Sequence, residues 1–270
     1  MIRTELFAYP FSCAGRTDIG VKRASNQDEV ICCPECGFFA VSDGMGGLGG
    51  GGETSGMIAK ALPLLMRQAY EELKKKTSLE FAAELLAERL GLISDNIYET
   101  LNRRTGRSVY GATLCGVWLV GEHAVFVNLG DSRGYLLGFG ERDIRQVTTD
   151  HNVAQILVKT GELSREEARA HPSGSTLTRF AGMESPALTE TFTVKIRRGD
   201  MILLCSDGLY GMVSDRRLPM LLRSSKKIGR AVKRLIDEAN LAGGRDNISA
   251  ALIKLSRAGG RKSNNIKGGN

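Results

Sequence analysis

Two apolar runs in this chain end in the same tripeptide. Phe38-Phe39-Ala40-Val41 leads into Ser42-Asp43-Gly44, and Met201-Ile202-Leu203-Leu204-Cys205 leads into Ser206-Asp207-Gly208. A third run, Val125-Phe126-Val127-Asn128-Leu129, ends in Gly130-Asp131-Ser132-Arg133, and Gly244-Arg245-Asp246-Asn247 sets a fourth aspartate just before the run Ile248–Leu255. Short apolar runs bounded by Gly, Asp and Ser read as buried strands. A carboxylate at the mouth of such a strand is costly unless it is paired or holds a cation. Taken singly, an Asp-Gly reads first as a turn. The same pattern twice, with two further aspartates in like settings, points instead to a shared task for acids gathered at strand ends.

The stretch after the first of these ends, Gly44-Met45-Gly46-Gly47-Leu48-Gly49-Gly50-Gly51-Gly52-Glu53, also fits G-x-G-x-x-G between a strand and a helix. A stretch so rich in glycine fits almost any such template. A phosphate-cradling loop would need Gly-Lys-Ser/Thr, whereas Gly52 is followed by Glu53-Thr54, and an acid there repels phosphate. A plain linker is the other reading, and neither accounts for Asp43.

Periodicity supplies the other elements. Residues 30–33 and 38–42 read as a hairpin. Helices are expected over 52–76 and 79–104, from Ala59, Leu62, Leu65, Met66 and Ala69 and from Ala82, Leu85, Leu86, Leu90 and Ile93 at helical spacing, with Pro63 a candidate kink. Strands follow over 112–120, His123–Leu129 and 134–137, close enough together to pair antiparallel. Two short helices are expected within 152–169, strands over 189–196, Met201–Cys205 and Ile248–Leu255, and an amphipathic helix over 226–240. Nothing divides the body, so the expected fold is one α+β domain over 1–255, with antiparallel strands in two sheets and helices packed outside them.

Composition removes several classes. The 270 residues are 42% hydrophobic and 25% charged, as in ordinary globular proteins. No apolar run approaches the roughly 20 residues that span a bilayer, and Met1-Ile2-Arg3-Thr4-Glu5-Leu6 lacks a signal core, so no membrane role and a cytoplasmic location are expected. The net charge of +7 is uneven: the tail 256–270 carries Arg257, Arg261, Lys262 and Lys267 and no acid, and reads as a disordered, solvated segment. No aromatic residue stands among those cations to stack on bases, which argues against nucleic acid. Cys32-Cys33-Pro34-Glu35-Cys36 holds a C-x-x-C without a second ligand pair, so a hairpin turn with free thiols is expected there. Cys115 and Cys205 lie in apolar runs and read as buried, reduced core residues.

Several carboxylates on strand ends, flanked by glycine, suit hard divalent cations such as Mg2+ and Mn2+, which take oxygen ligands and keep several waters. Eight segments in order then give a specific resemblance: Arg23-Ala24-Ser25-Asn26-Gln27-Asp28, Asp43-Gly44-Met45-Gly46-Gly47, Gly111-Ala112-Thr113, Gly130-Asp131-Ser132-Arg133, Thr149-Asp150-His151, Leu177-Thr178-Arg179-Phe180-Ala181-Gly182, Ser206-Asp207-Gly208-Leu209 and Arg245-Asp246-Asn247-Ile248. Across about residues 15–255 the chain resembles the metal-dependent Ser/Thr protein phosphatases of the PP2C (PPM) family, bacterial type.

The resemblance implies an α-β-β-α sandwich and a role for each motif. Asp43 would bridge two metal ions, Mn2+ or Mg2+, and Gly44 would offer its carbonyl to one. Asp207 and Asp246 would complete the other site. Asp28 would hold metal waters, Asp131 would help Asp207 hold a weaker third ion, and Arg23 would bind the substrate phosphate. Where many members have Glu, this chain has Gln27, which adds no charge and implies looser binding of the second ion. Met45 stands where some eukaryotic members carry a histidine, and His123, His151 and His171 offer no evident replacement, so leaving-group protonation would fall to water.

The implied reaction is in-line attack on phosphorus by a water that two ions make acidic, with no covalent enzyme intermediate. Phosphoserine and phosphothreonine proteins would be the substrates, a bacterial Ser/Thr kinase the opposing partner, and a monomer the working form. Segment 152–175 corresponds to the family's variable flap, expected to be mobile and to bear on substrate choice. The rival reading is a pseudophosphatase that binds phosphoproteins without turnover; the intact set Asp43, Asp207 and Asp246 argues against it.

Overall fold

The computed structural model describes residues 6–46, 50–103, 109–184 and 188–257. Two antiparallel sheets lie face to face. One runs in the order β1 (Phe11–Asp18), β11 (Ile248–Leu255), β10 (Met201–Cys205), β7 (Arg133–Leu137), β8 (Arg145–Gln146). The other runs β2 (Asp28–Cys33), β3 (Phe38–Met45), β5 (Leu114–Val120), β6 (His123–Leu129), β9 (Glu190–Lys195), with the short β4 (Gly111–Ala112) also on β3.

Strand alternation sorts the side chains into three layers. Phe39, Val41, Val117 and Phe126 face Ile202, Leu204 and Ile253 between the sheets. Phe38, Ala40, Trp118 and Val127 face outward and are covered by Ile58, Leu62 and Met66 of α1 (Gly50–Lys75) and Leu86 and Leu90 of α2 (Leu79–Ile97). On the far side, Tyr135, Leu203 and Leu252 pack under Val232, Leu235 and Ile236 of α7 (Ile228–Leu241) and Leu218 and Leu222 of α6 (Leu218–Arg223). This is the expected α-β-β-α sandwich. Core helix residues such as Ile58, Leu62 and Met66 are fully buried, each worth about 1.5–3 kcal/mol relative to exposure.

Several expectations are refined. The helix expected from 52 begins at Gly50 and continues unbroken through Pro63. The helix expected to 104 ends as α at Ile97 and closes with a π turn, Tyr98–Asn102. The segment expected as one strand over 112–120 divides at Thr113, where β4 and β5 part. Strand β1 and the one-turn helix α5 (Asp207–Tyr210) have no counterpart in the reading above. Strand β1 is half-buried along its length, so its mixed sequence shows no clean alternation. The short helices within 152–169 are α3 (Val153–Thr160) and α4 (Arg165–Ala170), each capped by its own residue, Asn152 or Ser164.

The C-x-x-C turn differs from expectation: Cys33 and Cys36 are disulfide-paired, not free, and both are buried. Their spacing across a tight turn gives a Cα–Cα distance of 5.8 Å, which a disulfide can bridge. Trp118 Nε1–H donates to the Cys36 carbonyl (2.8 Å), tying the turn to β5. Cys115 and Cys205 are buried free thiols, as expected. The basic tail is described only to Arg257, so its remainder lies outside the described residues. Among the described residues no helix is long and apolar enough to cross a membrane.

Candidate metal centre

The strand ends bring the predicted acids to one edge of the sandwich. Asp28 on β2 stands opposite Asp43 on β3 in the strand register. Like charges at such a pair repel. Asp207 opens α5 directly after β10, and Asp246 precedes β11, the neighbour of β10. Asp131 lies between β6 and β7 and is buried.

Burial and mutual repulsion dominate the electrostatics of these acids. Burial pushes Asp28 up to about 6, against hydrogen bonds from Ser206 and Ser249 that pull it down. Burial also pushes Asp207 up to about 6, helped by Asp246 and Asp28. Asp43 rises well above the carboxylate range through burial and the charges of Asp28, Asp207, Asp131 and Asp246. Asp131 rises likewise, through burial and then Asp207 and Asp150. Oδ1 of Asp28 and Oδ1 of Asp207 are buried without any hydrogen-bond partner. Orphaned, mutually repelling carboxylate oxygens fit a divalent cation. Among the described residues no three His, Cys, Asp or Glu side chains are grouped closely enough to hold a metal ion by themselves.

The supporting hydrogen bonds are specific. At the first end, Thr113 grips Asp43 by its backbone on both sides: Thr113 Oγ1 accepts from Asp43 N–H (3.0 Å) and Thr113 N–H donates to Asp43 O (2.8 Å). This grip explains why the strand over 112–120 divides where it does. Ser42 Oγ–H donates to the Thr113 carbonyl (2.7 Å). At the second end, Ser206 Oγ–H donates to Asp28 Oδ2 (2.7 Å) and accepts from Ser249 N–H (3.0 Å). Asn247 is buried, and its Nδ2 donates to the carbonyls of Ile19 and Ser25 (both 2.9 Å) while its Oδ1 accepts from Gln27 N–H (2.9 Å). One side chain thus ties down the loop between β1 and β2 that carries Arg23. Thr113, Ser206 and Asn247 all lie inside the motifs quoted above, but sequence alone assigned them no task.

The glycines meet backbone. A Cβ on Gly44 would collide with the Gly51 and Gln27 carbonyls, and one on Gly208 with the Asn247 carbonyl. The glycine-rich stretch therefore seats the first turn of α1 against the end of β3. Residues 47–49 lie outside the described residues.

One cation sits differently from the reading of the sequence. Arg23 Nη2 pairs with Asp246 Oδ2 (2.6 Å) at the exposed rim, so the residue expected on phosphate and the acid expected on metal engage each other. Arg133, to which the sequence assigned no task, makes a bidentate pair with buried Asp150 through Nε and Nη2 (3.0 and 2.6 Å) and stacks on Tyr210 (3.6 Å). His151 Nδ1 accepts from Gly130 N–H (3.2 Å), and His171 Nδ1 accepts from Ser173 N–H (3.2 Å), so each ring already serves the backbone.

Comparison with known proteins agrees with this geometry. Residues 20–252 match the family described as protein phosphatase 2C. The serine/threonine phosphatase stp of Listeria welshimeri is 33% identical over 248 residues, covering 88% of this chain and 94% of that protein. The crystal structure of the Mycobacterium tuberculosis serine/threonine phosphatase PstP/Ppp superposes with a TM-score of 0.76 at 30% identity, covering 92% of this chain and 99% of that one. The catalytic domain of PstP in complex with 2 manganese ions superposes at 0.77, with 28% identity, covering 92% and 100%. With the sandwich, the strand-end acids and the sequence match all in accord, the chain belongs to the protein phosphatase 2C family.

Proposed function

We propose that this chain is a protein serine/threonine phosphatase that hydrolyses phosphoserine and phosphothreonine esters with the help of two divalent ions, Mn2+ or Mg2+. The observation that carries the reading is the set of buried, mutually repelling carboxylates whose oxygens at Asp28 and Asp207 lack a partner. Asp43, the Gly44 carbonyl, Asp207 and Asp246 would hold the two ions. Asp28 would bind their waters, and Asp131 with Asp207 would take a weaker third. The ions, when bound, supply Lewis acidity: they lower the pKa of water and screen phosphoryl charge.

The chain's own residues set the rest. Thr113 fixes the Asp43 backbone, and Ser206 fixes the Asp28 carboxylate. Arg23 binds the substrate phosphate once its guanidinium leaves Asp246, and Asn247 keeps its loop in register. Gln27 contributes an amide without charge, which loosens the second ion. With Met45 following Asp43-Gly44 and His151 Nε2 turned towards Glu190, water protonates the leaving alkoxide. The flap over 152–175 bears on substrate choice. A bacterial Ser/Thr kinase is the opposing enzyme, and the chain acts in signalling as a cytoplasmic monomer.

The test is hydrolysis of a phosphothreonine peptide and of p-nitrophenyl phosphate after EDTA treatment, with and without added Mn2+. Activity is expected only with Mn2+. Full turnover in EDTA would overturn the reading.

A further inference from the structure

At the opposite pole from the acids, the sandwich holds a second feature of the other charge. A cavity of about 400 Å3 lies where β7 ends and β10 begins. Arg142, Arg223, Lys226, Lys254 and Arg257 line it, with Glu141 its one acid. Strand β10 spans the distance: Met201 lines the cavity, and Cys205 directly precedes Ser206-Asp207. Five residues of strand at about 3.3 Å each place the two sites roughly 15 Å or more apart.

The cavity is shaped by the fold. Phe139, more than half exposed, is held from both sides. Its N–H donates to Asp200 Oδ1 (2.8 Å), and a Cβ on Gly199 would touch its ring, so the backbone there packs flat against it. The Arg257 guanidinium lies over the ring at 4.1 Å. Arg223 donates to the Glu141 carbonyl, closing one side of the mouth. Among the described residues, no carboxylate pairs with Arg142, Lys226, Lys254 or Arg257. Some surface cations elsewhere, such as Arg67, Lys74, Arg217 and Lys233, have an acidic partner; what sets the cavity apart is the gathering. Five cations against the single acid Glu141 around one concavity form a positive focus.

The geometry points to a docking site for a peptide segment rich in Asp and Glu on a partner protein. Guanidinium groups around a recess match carboxylate and phosphoryl oxygens in pairs. The volume falls in the range that holds a few side chains. Nucleic acid fits less well, because the one exposed ring is already covered by Arg257 and offers no stacking face. The sequence after Arg257 continues basic, with Arg261 and Lys262 and no acid. The site stands apart from hydrolysis and does not depend on it.

Fluorescence anisotropy tests this with the full chain in EDTA, using a labelled hexaglutamate peptide and a labelled peptide bearing two phosphoserines. The cavity variant is Arg142→Glu/Lys226→Glu/Arg257→Glu. The control is Lys60→Glu/Lys75→Glu/Lys76→Glu, on exposed positions of α1 and the residue that follows it, with the same change in net charge. Circular dichroism of both variants, together with unchanged p-nitrophenyl phosphate hydrolysis in Mn2+, establishes that they fold. The cavity variant should weaken binding of the hexaglutamate peptide about tenfold or more, and the control less than about threefold, with affinity falling as salt rises; tighter wild-type binding of the phosphoserine peptide that the cavity variant loses would overturn this choice of occupant. Equal losses in both variants, or no binding by the wild-type chain, would overturn the assignment. So would tighter binding of a single-stranded oligonucleotide at the same site. Displacement of the peptides by millimolar inorganic phosphate alone would reassign the cavity to a free anion.

Discussion

The two Ser-Asp-Gly ends are identical in sequence and built differently. The first lies in mid-strand: β3 runs on to Met45, and Asp43 is held through its backbone by Thr113. Its serine touches only main chain. The second ends its strand. Asp207 begins a one-turn helix, and Ser206 donates to the carboxylate of Asp28, on the opposite sheet. Each glycine lets another backbone come close, Gly51 at the first end and Asn247 at the second. The same three letters thus give one rigid central carboxylate and one junction that stitches the two sheets together at the metal edge.

Losing either aspartate should produce the largest effect. Asp43→Asn and Asp207→Asn should each reduce phosphopeptide hydrolysis in Mn2+ below detection, measured by phosphate release. Turnover within tenfold of wild type in either would contradict the metal-holding role given to that end.

Asn247→Ala comes next, because it frees the Arg23 loop and strands three backbone groups. A loss of about 10–100-fold in kcat/KM is expected, carried more by KM, with about 1–3 kcal/mol of stability lost in urea melts. An unchanged KM with the same stability loss would show a purely structural side chain.

The serines sharpen the comparison most directly. Ser206→Ala should cost about tenfold in activity or Mn2+ affinity, since it removes a donor to Asp28. Ser42→Ala should cost about 1 kcal/mol of stability and leave kcat nearly unchanged. Equal effects would show that the two ends are interchangeable.

The smallest effect concerns pH. With Asp28 and Asp207 raised to about 6 in the folded, metal-free chain, folding retains protons that the unfolded chain releases near the ordinary carboxylate value of 3.8. The folded state binds more protons across that window, so the stability of EDTA-treated protein falls as pH rises from about 4 to about 6. Thermal melts should drop by a few degrees across it, and Mn2+ should restore them most strongly above pH 6, where the acids are ionised. A melting temperature that rises over this range without metal would contradict the carboxylate shifts.

Much of this was legible in the chain. Continuous apolar runs exposed β3, β6, β10 and β11 because both faces of those strands are buried. The faces of α1 and α2 stood out because each helix buries one apolar stripe at helical spacing. The acids were readable because buried strands ending in aspartate are rare without a partner. Strand β1 was hidden by its half-exposed faces, and the Cys33–Cys36 pairing by its local spacing, which a free-thiol turn shares. The pairing of Arg23 with Asp246 joins residues 223 positions apart, and the cavity at the far pole draws on four separated segments. Such convergence is a property of the fold and leaves no local pattern.

The central claim is that Asp43 serves both core ions while Asp207 serves one of the two. Calorimetric titration of Mn2+ into EDTA-stripped, dialysed protein measures it directly. Wild type should bind two ions tightly, Asp207→Asn should retain one, and Asp43→Asn should retain neither. Equal stoichiometry in the two variants, or wild-type binding by Asp43→Asn, would contradict the account.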